Sequence, residues 1–252
     1  MIRRYGFKKS EPRDTDRKYK VVHYSDTELP ANCDLREWCP PVYDQGELGS
    51  CTANAGSCAL QFDENIQKSE GKLNMASRLF LYYAERQMDG DIWQDGGSTL
   101  RTCIQALNIF GVCDETLWPY DQSRFTERPP QGCWEQASFH KGLNSFALSQ
   151  NERELKHCLA IFKRPFVFGF QVYDSFEGPE IAQTGIMKIP GPHENCLGGH
   201  AVICVGYRDD GYFIIRNSWG TGWGDEGYFY MPKEFILDPR YCSDFWCLQS
   251  SQ

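Results

Sequence analysis

The apolar positions along this chain change period once, and the change divides it. From Cys51 the small and apolar residues Ala55, Ala59, Leu60 and Phe62 recur at the spacing of a helix face, behind Ser50, whose hydroxyl is suited to capping a helix start. The same period returns at about 76–88 with Leu79, Phe80, Tyr83 and Ala84. It returns again at about 98–110, where Leu100, Ile104, Leu107 and Ile109 follow Gly96-Gly97 and a capping Ser98. Beyond Trp118-Pro119-Tyr120 and the loop through Pro129-Pro130, one more helix is predicted at about 151–162. The rest reads as short β runs at 165–172, 201–207, 212–217 and 227–231, each bounded by Gly, Pro or Asp. This order predicts an α+β protein with a helical lobe at about 45–118, a β lobe at about 135–240, and a cleft between two cores.

Ahead of the lobes, residues 1–28 are polar with little to bury, and Leu29-Pro30 to Pro40-Pro41 is an extended lead-in punctuated by prolines. The chain therefore divides into an extension, 1–28, and a domain, 29–252, with no internal repeat.

Composition narrows the partners. With 252 residues, 41% of them apolar, the chain can bury one large core or two sharing a cleft. A net charge of −8 and a pI near 5.2 exclude the concentrated basic footprint of a nucleic-acid binder. The basic start at Arg3, Arg4, Lys8 and Lys9 reads as a solvated tail. No run reaches the ~18–20 apolar residues of a membrane span. Residues 1–28 also lack the ~7–15-residue apolar core of a signal peptide. Twelve cysteines are many. In an oxidising setting, one reactive thiol would leave an odd number that cannot all pair internally, whereas in a reducing one they serve as small buried hydrophobes. With no Asn-X-Ser/Thr sequon anywhere, an intracellular or reducing compartment is the expectation.

The chemistry lies in three motifs. Gln45-Gly-Glu-Leu-Gly-Ser-Cys51 sets a cysteine at a helix mouth, where unpaired N–H groups and about half a positive charge favour thiolate. Downstream come Gly198-Gly199-His200 and then Arg216-Asn217-Ser218-Trp219-Gly220-Thr221-Gly222-Trp223-Gly224. Thiol catalysis needs such a set: a nucleophile, a base to take its proton, and an amide to orient the base. His193, Cys196, His200 and Cys204 also offer four potential zinc ligands in twelve residues. A strand from His200 carries Cys204 ~13 Å along, beyond one tetrahedral centre, so no metal is expected.

On these motifs the chain resembles the papain-like cysteine peptidases from about Leu29 to near the C-terminus, with Cys51 and His200 at the upper end of the family's ~130–150-residue separation. The resemblance implies a papain-like two-lobed fold, one lobe helical and the other β-barrel-like, with the active site between them. It implies Cys51 as nucleophile, His200 as acid/base, Asn217 orienting the imidazole and Gln45 donating in the oxyanion hole. With His200 within ~3.5 Å of Cys51, a thiolate–imidazolium pair is expected near neutral pH. Gly96, Gly97, Gly199 and Trp219 are implied to line the substrate, Gly96-Gly97 through backbone bonds to an extended peptide and Trp219 by shielding the His200–Asn217 contact. Asp244-Phe245-Trp246 is a candidate floor for a specificity pocket.

The implied activity is thiol endopeptidase acting on peptides or proteins, without a cofactor and with oligomeric state unspecified. No histidine between Cys113 and Cys133 supplies the loop of carboxydipeptidase relatives. Two alternatives remain open: a catalytically silent peptide binder, and acyl transfer to an amine other than water. Leu48 and Gln94 stand where secreted relatives carry a bridge, while Cys196 and Cys242 are candidates for a second family bridge. Thr52 replaces the usual tryptophan after the nucleophile. Residues 1–28 are shorter than the usual propeptide and are either a latency segment of a zymogen or a leader without contacts.

Overall fold

The change of period in the sequence is a change of secondary structure. A computed structural model of the protein describes residues 3–20, 28–67, 71–141 and 143–250. In chain order it holds β1 (Phe7–Lys8), β2 (Cys33–Asp34), α1 (Cys51–Gln67), α2 (Arg78–Asp89), β3 (Ser98–Thr99) and α3 (Leu100–Ile109). Then come α4 (Gln131–Ala137), β4 (Leu143–Ala147), α5 (Glu152–Ala160), β5 (Phe166–Tyr173), α6 (Pro179–Thr184), β6 (Cys196–Tyr207), β7 (Tyr212–Arg216), β8 (Tyr228–Pro232), α7 (Lys233–Ile236) and β9 (Cys242–Ser250).

Every residue of α1 from Cys51 to Asp63 is buried, which is why small side chains crowd this helix. A Cβ on Gly56 would meet the Cys103 sulfur at 2.3 Å, so α1 and α3 touch nearly backbone to side chain. The caps differ from the sequence reading. Ser77 Oγ accepts the Phe80 amide at the start of α2, and Thr99 rather than Ser98 caps α3 by accepting the Thr102 amide at 2.9 Å. Ser98 is held in β3 and gives its hydroxyl to Asp89. The Ser50 hydroxyl meets Tyr120 and the Asn54 amide instead of a helix-start N–H.

The β lobe is a seven-stranded sheet ordered β4-β9-β5-β6-β7-β8, with β2 paired on β6. β4 and β8 are its edges, so the sheet stays open and no barrel closes; register shifts in β5, β6 and β9 curve it. β6 joins the two cores. Ala201, Ile203 and Val205 face the helical core, while Val202 and Cys204 face the core of the β lobe. A slip of one residue would exchange these sets, at ~1.5–3 kcal/mol for each large apolar side chain misplaced. That cost fixes where His200 points. β4 and β9 were not evident in the sequence, because Asp244, at φ 59°, interrupts β9 with a left-handed residue.

All twelve cysteines are unbridged. The candidate Cys196–Cys242 bridge does not form, because Cys196 pairs with β5 from one side and Cys242 from the other. Two strand spacings, about 9–10 Å, separate them, against the ~4.4–6.8 Å a disulfide spans.

The extension corrects the expectation of a solvated tail. Of residues 1–28, those at 1–2 and 21–27 lie outside the described residues; the others run across the cleft. β1 pairs in parallel with β3, Phe7 opposite Ser98, and Phe7 is 6% exposed. Further along, Asp16 forms an ion pair with Arg101, and Arg17 and Tyr19 bond to the Ala147 backbone.

Candidate active site

Cys51 opens α1 and is fully buried at the seam between α1 and β6. Its sulfur faces the backbone amides of Ala201 and Gly6, the second belonging to the arm. Burial pushes the thiol up to about 12; the Ala201 and Gly6 amides oppose this, and the Glu85 carboxyl adds to it. His200 is equally buried. Its Nε2 and Asn217 Oδ1 are 2.9 Å apart, and Trp219 stacks on the ring at 5.1 Å while Phe170 meets it edge-on at 5.7 Å. Burial lowers the imidazole to about 4; the bond to Asn217 opposes this and the Arg3 charge deepens it. His200 Nδ1 has no hydrogen-bond partner. Burial thus shifts both groups toward their neutral forms, against the expected thiolate–imidazolium pair.

The supporting backbone follows from the motifs. β7 ends at Arg216, whose guanidinium bonds to the Pro40 and Pro41 carbonyls, and the Asn217 amide donates to Gly227 at 3.0 Å. The Gln45 amide donates to the Ser218 carbonyl at 2.9 Å, and Ser218 Oγ donates to Gln45 Oε1. Gln45 Nε2 donates to Leu48 at 2.8 Å, leaving its second N–H to a ligand. Trp219 rests on Trp223 and Phe176, which back the indole that stacks on the imidazole.

The arm lies on all four residues assigned to substrate. Gly97, at φ 67°, has the Gly6 carbonyl where its Cβ would stand, at 1.9 Å. A Cβ on Gly199 would be 2.6 Å from the Phe7 carbonyl, Gly96 faces Lys8, and the Arg3 guanidinium lies 3.8 Å above the Trp219 ring. The Phe7 ring fills a recess over Gly169, whose Cβ would meet it at 2.0 Å. Asp244 accepts the Ser10 amide and hydroxyl and so binds the arm, and with Phe245 and Trp246 it lines a cavity shared with Ser10 and Arg101.

Three further features escaped the sequence reading. Asp95 takes the Gly49 amide at 2.9 Å, just before Cys51, and pairs with Arg4 of the arm. Thr52 turns inward and donates to Glu85 at 2.7 Å, which explains how a small polar residue serves where tryptophan was expected. Tyr5, Gly6 and Phe7 occupy the cleft; the signal was an aromatic-Gly-aromatic triplet in an otherwise charged segment. Among the described residues, no three His, Cys, Asp or Glu gather as a metal cluster, and no helix is long and apolar enough to cross a membrane.

Comparison with known proteins finds matches in both sequence and fold. The family model described as papain family cysteine protease matches residues 29–241. An uncharacterised peptidase C1-like protein of Acanthamoeba polyphaga mimivirus is 41% identical over 214 residues, 82% of this chain and 68% of that one. The crystal structure of xylellain, a cysteine protease from Xylella fastidiosa, superposes with a TM-score of 0.90 at 37% identity, covering 98% of this chain and 96% of that one. The fold is shared with procathepsin B of Trypanosoma congolense, at TM-score 0.76 and 20% identity over 99% of this chain and 86% of that one.

Proposed function

The chain belongs to the papain family of cysteine proteases, and we propose that it is a thiol endopeptidase held latent by its own N-terminal arm. It is a cysteine-type peptidase; the roles of its residues are the proposal. His200 takes the Cys51 proton as the sulfur attacks a peptide carbonyl, and Gln45 Nε2 with the Cys51 amide receives the oxyanion. The imidazolium then protonates the leaving amine, and water, deprotonated by His200, releases the acyl group. Asn217 holds the imidazole in the required tautomer, and Trp219 keeps water from that contact. The observation that carries this reading is the 2.9 Å His200–Asn217 bond roofed by Trp219 beside a helix-start cysteine.

Latency rests on direction. The leaving amine must lie on the imidazole side, because His200 protonates it. The arm has Arg3 and Tyr5 against Trp219 and His200, and only then Gly6 and Phe7 against Cys51 and Gly97. A substrate carries its N-terminal residues on the opposite, acyl side, so the arm runs backwards through the cleft and offers no cleavable bond in register. The recess filled by Phe7 suits an aromatic or large apolar substrate side chain. Deletion of residues 1–20 with intact-mass analysis after a peptidyl epoxysuccinate tests both parts. One adduct that needs Cys51, forming faster without the arm, is expected; no adduct in any reduced form would refute the peptidase reading, and equal rates would refute latency.

A further inference from the structure

The arm also touches the half of the cleft that receives the leaving fragment. Its Arg3 guanidinium lies over the Trp219 ring, 3.8 Å from the centroid, and Arg3 Nη1 is buried without a hydrogen-bond partner. A guanidinium taken from water and short of hydrogen bonds is costly, so other forces hold it there. One is the indole face, which attracts cations and suits a planar guanidinium better than an ammonium. The others are two exposed carboxylates, Asp44 and Glu177. Asp44 is tied to Trp219 by a backbone bridge; its Oδ1 accepts the Gly46 amide at 2.9 Å, and its Oδ2 lies 3.4 Å from where a Cβ on Gly220 would stand. Glu177 follows Phe176, on which Trp219 rests, and accepts the Tyr5 hydroxyl. Burial opposes the Arg3 charge, while Tyr5, Asp44 and Glu177 act to keep it.

We propose that Trp219, Asp44 and Glu177 form a subsite that selects arginine within the first two residues of the leaving fragment, so that the preferred substrates are peptides basic just after the scissile bond. This rests on the peptidase reading above and adds the substrate to it. The arm is chemically a peptide, and its side chains show what each recess accepts although its backbone runs the other way: an aromatic ring over Gly169 on the acyl side, a guanidinium over Trp219 on the leaving side. The Trp219 ring centroid is 5.1 Å from that of His200, which protonates the leaving nitrogen. At ~3.3 Å per extended residue, the side chain that reaches the indole belongs to the first or second residue beyond the bond. A cation there works against the imidazolium that His200 must become, as the Arg3 charge does. The two carboxylates offset that repulsion as well as attracting the substrate.

The test uses the full chain with Arg3→Ala and Gly6→Val, which removes the resident guanidinium and unseats the arm, its open sites counted by epoxysuccinate labelling. Internally quenched peptides share one aromatic acyl side and carry Arg, Lys, Gln or Glu at the first or second position after the scissile bond. At one of these positions kcat/KM is expected to be about fivefold higher for Arg than for Gln, with Lys between them and Glu lowest. Adding Asp44→Asn and Glu177→Gln should reduce the Arg-to-Gln ratio to about twofold, the part left to the indole. Raised salt should also reduce it while the carboxylates are in place. Equal rates for Arg and Gln at both positions, or an Arg preference undiminished by the two carboxylate substitutions, would overturn the subsite and leave Arg3 as a docking contact of the arm. If no peptide is cleaved, the peptidase reading fails on its own, and fluorescence anisotropy with the same chain carrying Cys51→Ala decides the subsite. Tighter binding of the Arg peptide, weakened by the carboxylate substitutions, is then expected, and equal affinities for the Arg and Gln peptides would overturn it.

Discussion

The Ser98 amide donates to the Gly6 carbonyl at 2.9 Å, and this bond lays the arm backbone on the cleft wall where Gly6 faces both Gly97 and Gly49. Neither Gly6 nor Gly97 tolerates a side chain. A Cβ on Gly6 would stand 1.8 Å from the Gly49 carbonyl, a backbone group that cannot swing away. Gly6→Val is therefore expected to displace the arm and speed labelling of Cys51 by epoxysuccinate at least tenfold, since ~1.4 kcal/mol of lost docking is a factor of ten. An unchanged labelling rate in a folded variant would mean that the arm is no lid.

Uncovering the site should also change its titration. Burial disfavours charge, so it raises the Cys51 thiol to about 12 and lowers the His200 imidazole to about 4. Both shifts relax when the arm leaves, bringing the thiol down and the imidazole up until proton transfer between them becomes favourable. Alkylation of the wild-type cysteine should be slow at neutral pH and climb through the alkaline range, whereas Gly6→Val should show a plateau reached near or below neutrality. Superimposable pH profiles would show that the arm does not set these values.

The candidate catalytic set was legible before the fold because its members announce themselves locally: Cys51 by a glycine-rich approach to a helix, Asn217 by the nine-residue run from Arg216 through Gly224. The main helices and the strands holding His200 and Arg216 were legible from their periods. What stayed hidden depends on contacts distant in sequence. Phe7, with Tyr5 two residues before it, has no evident partner in a charged segment until Gly169 and Gly199 form its recess. β9 carries a left-handed Asp244 that breaks its alternation, and the role of Thr52 is unreadable without Glu85, 33 residues away. The shift of Cys51 and His200 toward neutrality was likewise invisible, because it arises from burial beneath a segment read as solvated.

Gln45 should matter for rate more than for binding. Its side chain bonds to Leu48 and Ser218 and has one N–H left for a developing oxyanion. Such a donor is worth ~10²–10³ in kcat. Gln45→Ala in a Gly6→Val background is expected to lose turnover of a peptide substrate on that scale with KM little changed, once circular dichroism shows the fold intact. Full turnover would remove Gln45 from the mechanism.

Glu85 should make the protein less stable as pH rises. The carboxyl is fully buried below α1, where burial raises it from an ordinary 4.5 to about 8 against the bonds from Cys103 and Thr52. Between these values the folded chain holds a proton that the unfolded chain releases, so the native state binds more protons and stability falls with pH across that window. Below the window the contribution is complete; above about 8 nothing further is lost. The scale is ~1.4 kcal/mol for each unit between the two pKa values, an upper bound where solvent or relaxation softens the burial. Glu85→Gln keeps an acceptor for the Thr52 hydroxyl and removes the titration. The denaturation midpoint of wild type relative to Glu85→Gln is therefore expected to drop between about pH 5 and pH 8, with groups common to both proteins cancelling. A constant difference over that range would mean that Glu85 is already charged in the folded protein, with a counter-charge under the Cys51 helix that its contacts to Thr52 and Cys103 do not supply.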